Sequence, residues 1–364
     1  MKPFSGFGCL RIALLFAAVG IPRAVHAQSI ETFDAPGSSA TSPAAVNEFG
    51  RITGSFQDAG RRSHGFVRSP FGTFTTFDAP SPGNDATGAN TIPLAINSAG
   101  QIAGGVYAAR DGVLVERGFV RNEYGTITEF DAAPGALQTT AQAINAHGWI
   151  GGTYLDASYN THGFVRSPRG AISTFDTPPS VTFVREIRPN GSVIGAFQMP
   201  LGFFQGFVRE ADGTVSSFEG PDLSHETGGV GCGKCGGTYT TAATPTGHSV
   251  GFYGATGHIV RGFLRKANGT LSNLDVPGAI RTTPEAINVE GAVAGEYTNP
   301  DPYDSHGFLL PRDGKLESFD VPDSYWLSVT AIDVENKVIG FYADASGTHG
   351  FIRKPRAGCG RFHF

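Results

Sequence analysis

Apolar and polar positions alternate in short runs along most of the chain, and Gly, Pro, Asn and Asp close the runs at regular intervals. The pattern is clearest from Ala141 to Pro178, AQAINAHGWIGGTYLDASYNTHGFVRSPRGAISTFDTP. Ala141 to Asn145 alternates and ends in the polar turn Asn145-Ala146-His147-Gly148, which reverses the chain because Asn and Gly tolerate positive φ. Trp149 to Leu155 and His162 to Ser167 are β-branched and aromatic runs, and the turn Ser167-Pro168-Arg169-Gly170 leads into a fourth run, Ala171 to Asp176. Asp-Thr-Pro stops that run because proline cannot donate to a ladder. The unit predicts four antiparallel strands joined by hairpins, a sheet too small to bury both faces unless neighbours stack on it. No stretch keeps a helical apolar period, so the expected class is all-β.

Parts of this unit recur in order. The closing motif is FDAP (33–36), FDAP (77–80), FDAA (130–133), FDTP (175–178), FEGP (218–221), LDVP (274–277) and FDVP (319–322). The third run is HGFVR (64–68), RGFVR (117–121), HGFVR (162–166), QGFVR (205–209), RGFLR (261–265), HGFLL (306–310) and HGFIR (349–353). The opening run and turn recur near Val46-Asn47, Ile96-Asn97, Ile144-Asn145, Ile187-Arg188, Ala242-Ala243, Ile287-Asn288 and Ile332-Asp333. Each series counts seven. Their phase is informative: a fourth strand, Ser29 to Asp34, precedes any first strand, and the last unit stops after a third strand at Arg353. Such ends meet when a ring of radial sheets closes, whereas an open solenoid needs caps. The expected fold is a seven-bladed β-propeller of four-stranded antiparallel blades over residues 28–356, closed by the N-terminal strand joining the last blade, with a tail at 357–364.

The repeats resemble the HAF-repeat family of extracellular bacterial proteins, whose units carry a His-Ala-Phe strand, a Gly-rich strand before it and an Asp-Pro end after it. The middle position here is Gly throughout, as in His64-Gly65-Phe66 and His349-Gly350-Phe351, and Arg117, Gln205 and Arg261 replace the His in three units. The resemblance implies an exported, propeller-like repeat protein and carries no activity with it.

Composition agrees with many short strands: 51 Gly, 23 Pro and 28 Phe stand in 364 residues of which 16% are charged. Residues 1–27 read as a secretory signal, with Lys2 and Arg11 at the start, an apolar run from Ile12 to Val19 and the small-residue site Val25-His26-Ala27. That run is too short to span a membrane, and no second one follows. Cleavage leaves 24 bases against 32 acids, a net charge of −8. An acidic surface excludes a phosphate-backbone partner, which needs a clustered basic face.

The repeated Asp and His residues are the first candidates for chemistry. Catalysis needs one asymmetric set of groups, so a residue present in every unit is assigned to architecture: the Asp as an acceptor for backbone N–H groups before a Pro turn, the His as a loop tie. The Gly of HGF is expected to make room near the axis or beneath the Phe of the next blade. Functional residues are sought where units disagree. Variable loops fall on one face of a propeller, and the longest is 222–240. It holds Cys232 and Cys235, a C-x-x-C that can be a redox pair, half a zinc site or a local disulfide; in an exported chain the disulfide is the expectation. Cys359, in the tail, is the expected free thiol. Tyr325 and Trp326, Phe203 and Phe204, and Asp301 with Tyr303 and Asp304 also lie in variable loops, where aromatic faces beside carboxylates suit sugar stacking or a protein contact. His225, Glu226, Asp301 and Asp304 could supply acid and base. There is no nucleophile motif, phosphate loop, calcium loop or dinucleotide fingerprint, so no cofactor and no metal site is expected.

These features give three readings, the last of them a passive envelope protein with no small ligand. The first is a secreted monomer, periplasmic or extracellular, that binds an extracellular glycan or envelope protein through its variable-loop face, with Tyr325, Trp326, Asp301, Asp304, His225 and Glu226 as candidate contacts. The second is an extracellular enzyme on a polysaccharide or lactone. The second requires two polar groups that break the repeat to converge in one pocket near the axis.

Overall fold

In the computed structural model, successive repeats form antiparallel four-stranded meanders. The structure describes residues 29–80, 90–110, 113–177, 181–199, 202–221, 237–255, 259–300, 305–312 and 314–355, within a compact unit spanning Gln28–Pro355. Among the described residues there are 28 strands and no helix. β1 (Ile30–Phe33) stands first, followed by the meander β2 (Ala40–Val46), β3 (Ile52–Gln57), β4 (Ser63–Arg68) and β5 (Phe74–Phe77). The next two are β6 (Asn90–Ile96), β7 (Ile102–Arg110), β8 (Val113–Arg121), β9 (Ile127–Phe130), and β10 (Gln138–Ile144), β11 (Ile150–Leu155), β12 (Thr161–Arg166), β13 (Ile172–Phe175). Then come β14 (Thr182–Ile187), β15 (Val193–Gln198), β16 (Phe204–Arg209), β17 (Val215–Phe218), and β18 (Thr238–Ala243), β19 (Ser249–Ala255), β20 (Ile259–Arg265), β21 (Leu271–Leu274). The chain continues through β22 (Arg281–Ile287), β23 (Val293–Thr298), β24 (Ser305–Leu310) and β25 (Glu317–Phe319). It ends with β26 (Trp326–Ile332), β27 (Val338–Ala343) and β28 (Thr348–Arg353). β1 pairs with β28 in antiparallel register, Ile30 opposite Arg353 and Phe33 opposite Gly350.

The hydrogen-bonded sheets number four rather than one per repeat. Single parallel bridges, Ala40 to Thr348, Gln138 to Glu116 and Val260 to Arg281, join neighbouring meanders into eight-stranded sheets, and β14 to β17 stand alone as a four-stranded one. The core lies between meanders. Ala143 and Val165 pack with Val184, Ile187, Val193, Phe197 and Phe207, while Ile52 and Phe66 pack with Ala331, Ile339 and Ile352 from the other end of the chain. The Phe of every HGF motif is at 0% exposure, and each such side chain contributes roughly 1.5–3 kcal/mol.

Side chains of the repeat explain the elements, in two places differently from the sequence reading. In six of the seven units the amide after the closing acid is taken by a Thr of the following first strand, as in Ala35 N to Thr41 Oγ1 at 3.1 Å, Ala79 N to Thr91 at 2.9 Å and Thr177 N to Thr182 at 3.1 Å. That frees the Asp for the head of the third strand. His64 Nδ1 donates to Asp78 at 2.8 Å, His162 to Asp176 at 2.5 Å and His306 to Asp320 at 2.5 Å. Where Arg replaces His, Arg117 Nε reaches Asp131 at 3.2 Å and Arg261 Nη1 reaches Asp275 at 2.7 Å; where Gln does, the acid has lengthened to Glu219, at 2.5 Å from Gln205 Nε2. These partners are 14 residues apart in each unit, and in the last pair, His349 to Asp34 at 2.9 Å, they are 315 apart.

Except at Gly262, which meets Leu274 O and Pro284, the Gly of HGF lies beneath the Phe of the fourth strand paired with it, not that of the next meander: a Cβ on Gly65 would stand 2.6 Å from Phe77 Cζ, and one on Gly163 would overlap the Phe175 ring. The turn Asn has a second role beyond shaping the turn. Asn47 Oδ1 accepts from Phe49 and Arg51 N, and its Nδ2 donates to Asn97 O at 3.0 Å; Asn97 continues to Asn145 O and Asn145 to Arg188 O. In the fifth unit the equivalent pair is Ala243-Thr244, one residue beyond where the sequence places it, since Ala243 pairs with Ser249 as Ile96 does with Ile102.

Candidate functional site

Every first strand carries a β-bulge. Register shifts fall at Pro43/Ala45, Pro93/Ala95, Ala141/Ala143, Val184/Glu186, Thr240/Ala242, Pro284/Ala286 and Val329/Ala331. A bulge leaves one residue unpaired and re-aims its side chain. Pro43, Pro93 and Pro284 are tolerated there because a bulge on an outer strand requires no ladder N–H. The second strand accommodates the bulge with glycine: a Cβ on Gly195 would overlap the Phe183 carbonyl oxygen. The unpaired residues are Ala44, Leu94, Gln142, Arg185, Thr241, Glu285 and Thr330, and all of them line one shared cavity of about 860 Å³. The first strands border it in chain order, each beside the next, and β26 lies beside β2.

The cavity has two unlike sides. β2 and β6 present Pro43, Ala44, Ala45, Pro93, Leu94 and Ala95. β14, β18 and β22 present Arg185, Glu186, Thr241 and Glu285. β10 separates the two groups on one flank and β26 on the other. At the position after the bulge six units have Ala and the fourth has Glu186. Apart from Glu48, in the turn after β2, the charged residues of the cavity all break the repeat of the first strands.

Their electrostatics follow from enclosure. Burial pushes Glu285 up to about 8, assisted by the neighbouring Glu296 and opposed by Arg185 and Arg281. Burial likewise pushes Glu186 up to about 7, against the Ile187 amide and Arg188. Glu296 is raised by burial although its carboxylate accepts from Val329 N at 2.7 Å. Arg185 is lowered by burial and supported by Glu285. Protein encloses these groups on most sides, yet Arg185 remains open to cavity water and the glutamates are half-buried, so their charges are reachable by a ligand. Glu285 holds a proton near neutral pH and can donate it or a hydrogen bond; Arg185 can hold an anion.

Outside the lining of the cavity, β14, β16, β18 and β19 carry an aromatic array. Phe204 lies 5.9 Å from Phe183 and 4.5 Å from Tyr239, and Tyr239 stacks on Phe252 at 5.0 Å. Burial pushes the Tyr239 hydroxyl up to about 12.

Of the residues singled out in sequence, Trp326 opens β26, is 43% exposed and meets Phe341, which lines the cavity, edge-on at 5.5 Å. Tyr325 is 66% exposed and held by its amide to Ala343 O. Asp301, Asp304, His225, Glu226, Cys232, Cys235 and Cys359 lie outside the described residues. Arg185, Glu186, Glu285 and Glu296 were not singled out, although aligning the opening runs exposes Arg185-Glu186 and Glu285 as the charged departures. Among the described residues no group of three His, Cys, Asp or Glu side chains is placed to hold a metal ion, and no helix is long and apolar enough to cross a membrane.

No protein-family model and no curated protein matches the sequence. Solved structures do match in shape. A streptogramin B lyase superposes with a TM-score of 0.55 at 12% identity, over 89% of this chain and 98% of the other. Virginiamycin B lyase from Staphylococcus aureus gives 0.50 at 11%, over 90% and 99%. The acylaminoacyl peptidase of Pyrococcus horikoshii gives 0.57 at 9%, over 89% of this chain and 53% of the peptidase. At such identities the likeness is one of fold alone, an all-β repeat protein of the β-propeller type.

Proposed function

We propose that the chain is a seven-bladed β-propeller, closed where β1 completes the last blade, that is exported after removal of residues 1–27 and works as a binding module with its seat in the axial cavity. Closure is supported by the β1–β28 pairing, the His349–Asp34 pair and the core shared by the first and last meanders. Export rests on the signal-like segment and the resemblance to HAF repeats. The observation that carries the seat is the placement of Arg185, Glu186 and Glu285 on one wall of the cavity, at positions where Ala44, Ala45, Leu94 and Ala95 serve the fold equally well elsewhere. Burying charge costs stability, so architecture does not account for them. The ligand is a small molecule or glycan of the extracellular space, with Trp326, against Phe341 of the cavity lining, as a stacking face. Screening the mature protein, Arg185→Gln and Glu285→Gln against glycans and envelope fractions tests the seat. A ligand that the folded Arg185→Gln protein loses supports it; a ligand kept by both variants and lost in Trp326→Ala moves the seat to the variable loops.

A second reading is favoured by the convergence of polar groups that break the repeat. Glu285 and Glu296 are two raised carboxyls side by side, the arrangement that lets one donate a proton while the other accepts. The enzyme would act on an extracellular polysaccharide or lactone, with Glu285 as proton donor. Turnover lost in Glu285→Gln with binding intact distinguishes this from binding alone.

A further inference from the structure

The two-sided cavity narrows the chemistry of its occupant, an inference that rests on the axial seat proposed above. We infer that the seat takes an amphipathic monocarboxylate, its carboxylate on Arg185 and its apolar body against β2 and β6. Three observations converge. First, Arg185 and Glu285 both line the cavity, yet neither side chain makes a hydrogen bond to another described residue. Thr241 and Thr330, at the same position of their own strands, do bond to protein, Thr241 Oγ1 to Pro284 O at 2.6 Å and Thr330 Oγ1 to Ile339 O at 3.3 Å. The fold thus satisfies the neutral bulge residues and leaves the charged ones facing the cavity. A guanidinium so placed matches a carboxylate through paired N–H donors.

Second, Glu285 complements an anion only when it is protonated, because it then donates rather than repels. The groups facing it favour that state on balance: Glu296 from β23 and the enclosing wall oppose its charge, while Arg185 from β14 and Arg281 on its own strand support it. Glu186 beside Arg185 is raised in the same direction, with Arg188 opposing. Below neutral pH this wall therefore carries the fixed charge of Arg185, while Glu48 lines the cavity from the turn after β2. The described carboxylates do not assemble into a cation cage.

Third, Leu94, Pro43, Pro93, Ala44 and Ala45 form an apolar patch on the other side, which also bears Ser42, Ser55, Ser98 and Glu48. A ligand that was polar all round would desolvate against it without return, and an apolar tail gains there.

Titration calorimetry of the mature protein with octanoate, octylamine and 1-octanol tests the class, because the three share a body and differ in the head. Octanoate is expected to bind at about pH 6 and to weaken by about tenfold or more at about pH 9, as the glutamates ionise. Arg185→Gln is expected to lose about tenfold or more of octanoate affinity while 1-octanol is unaffected. The double variant Glu186→Gln, Glu285→Gln keeps the donors and is expected to retain octanoate at both pH values. Preference for octylamine, or octanoate affinity unchanged in folded Arg185→Gln, overturns the inference. If a glycan from the screen binds in an Arg185-dependent manner while octanoate does not, the carboxylate class fails and the axial seat stands.

Discussion

At the scale of single residues, each motif position answers to one contact. The Gly of HGF is the tightest. Gly163 faces the Phe175 ring of its own meander, and a side chain there would have to displace an aromatic held between strands. Gly163→Val is therefore expected to destabilise the protein by about 1–3 kcal/mol through overpacking, read as a fall in the denaturation midpoint. The same change at exposed Gly135, which has open space around it but a φ of +75°, tests backbone strain without crowding. The His of the motif carries a different burden. Burial would lower His64 and His162, but the paired Asp78 with Asp58, and Asp176 with Asp156, outweigh it and raise both. A raised folded value means that this contribution is present below the ordinary histidine range and fades as pH climbs through the folded value. Arg117 and Arg261 make the equivalent pairing through a guanidinium.

At the scale of elements, successive meanders are stapled by the Arg that ends six of the seven third strands. Arg68 lies over Phe33 at 4.9 Å, Arg121 over Phe77 at 5.0 Å, Arg166 over Phe130 at 4.8 Å, Arg209 over Phe175 at 4.6 Å, Arg265 over Phe218 at 4.8 Å and Arg353 over Phe319 at 5.8 Å. Each pairs a third strand with the fourth strand before it in the chain, and Arg68 does so with β1. One unit departs in both partners: Leu274 replaces the Phe, and Leu310, at the matching position of the next third strand, replaces the Arg. A ring without its cation, or a guanidinium without its ring, is a poorer solution than two aliphatic side chains. The double variant Leu274→Phe, Leu310→Arg is expected to be at least about 0.5 kcal/mol more stable than the sum of the single changes predicts. Chemical denaturation of the four proteins of that cycle measures the coupling, and additivity within error would remove the staple as a stabilising element.

At the scale of the molecule, the proposed closure concentrates several interactions on a strand that the chain lays down first. β1 contributes Phe33 to the core, the ring beneath Arg68, the ladder to β28 and Asp34 to His349. Removing residues 29–34 from the mature protein is expected to cost at least about 3 kcal/mol, with part of the loss restored by an excess of the peptide SIETFD. A truncated protein of unchanged denaturation midpoint would show that β1 does not close the ring.

Much of this architecture is legible in the chain because it is local and repeated. Alternation with period two identifies the strands, Gly and Pro identify the turns, and the out-of-phase ends indicate a fourth strand that precedes the first meander. Where the sequence fell short, the missing information was register. The His and Asp motifs can be read separately, but only the antiparallel pairing of third and fourth strands places residues 14 positions apart in contact. The four-sheet pattern depends on single bridges between meanders, which no local propensity encodes. The candidate site was missed for the same reason. A β-bulge is a two-against-one pairing between strands, so the side chain it turns toward the cavity is decided by the partner strand, not by alternation along its own. Alternation alone leaves Arg185 and Glu285 as polar positions on opening strands; the bulges of β14 and β22 bring them to one wall of a cavity whose other side carries Leu94 and Ala44. The repeat by itself determined the scaffold, and tertiary pairing decided where that scaffold admits chemistry, because the cavity is made from one unpaired residue of each first strand and exists only once those strands are side by side.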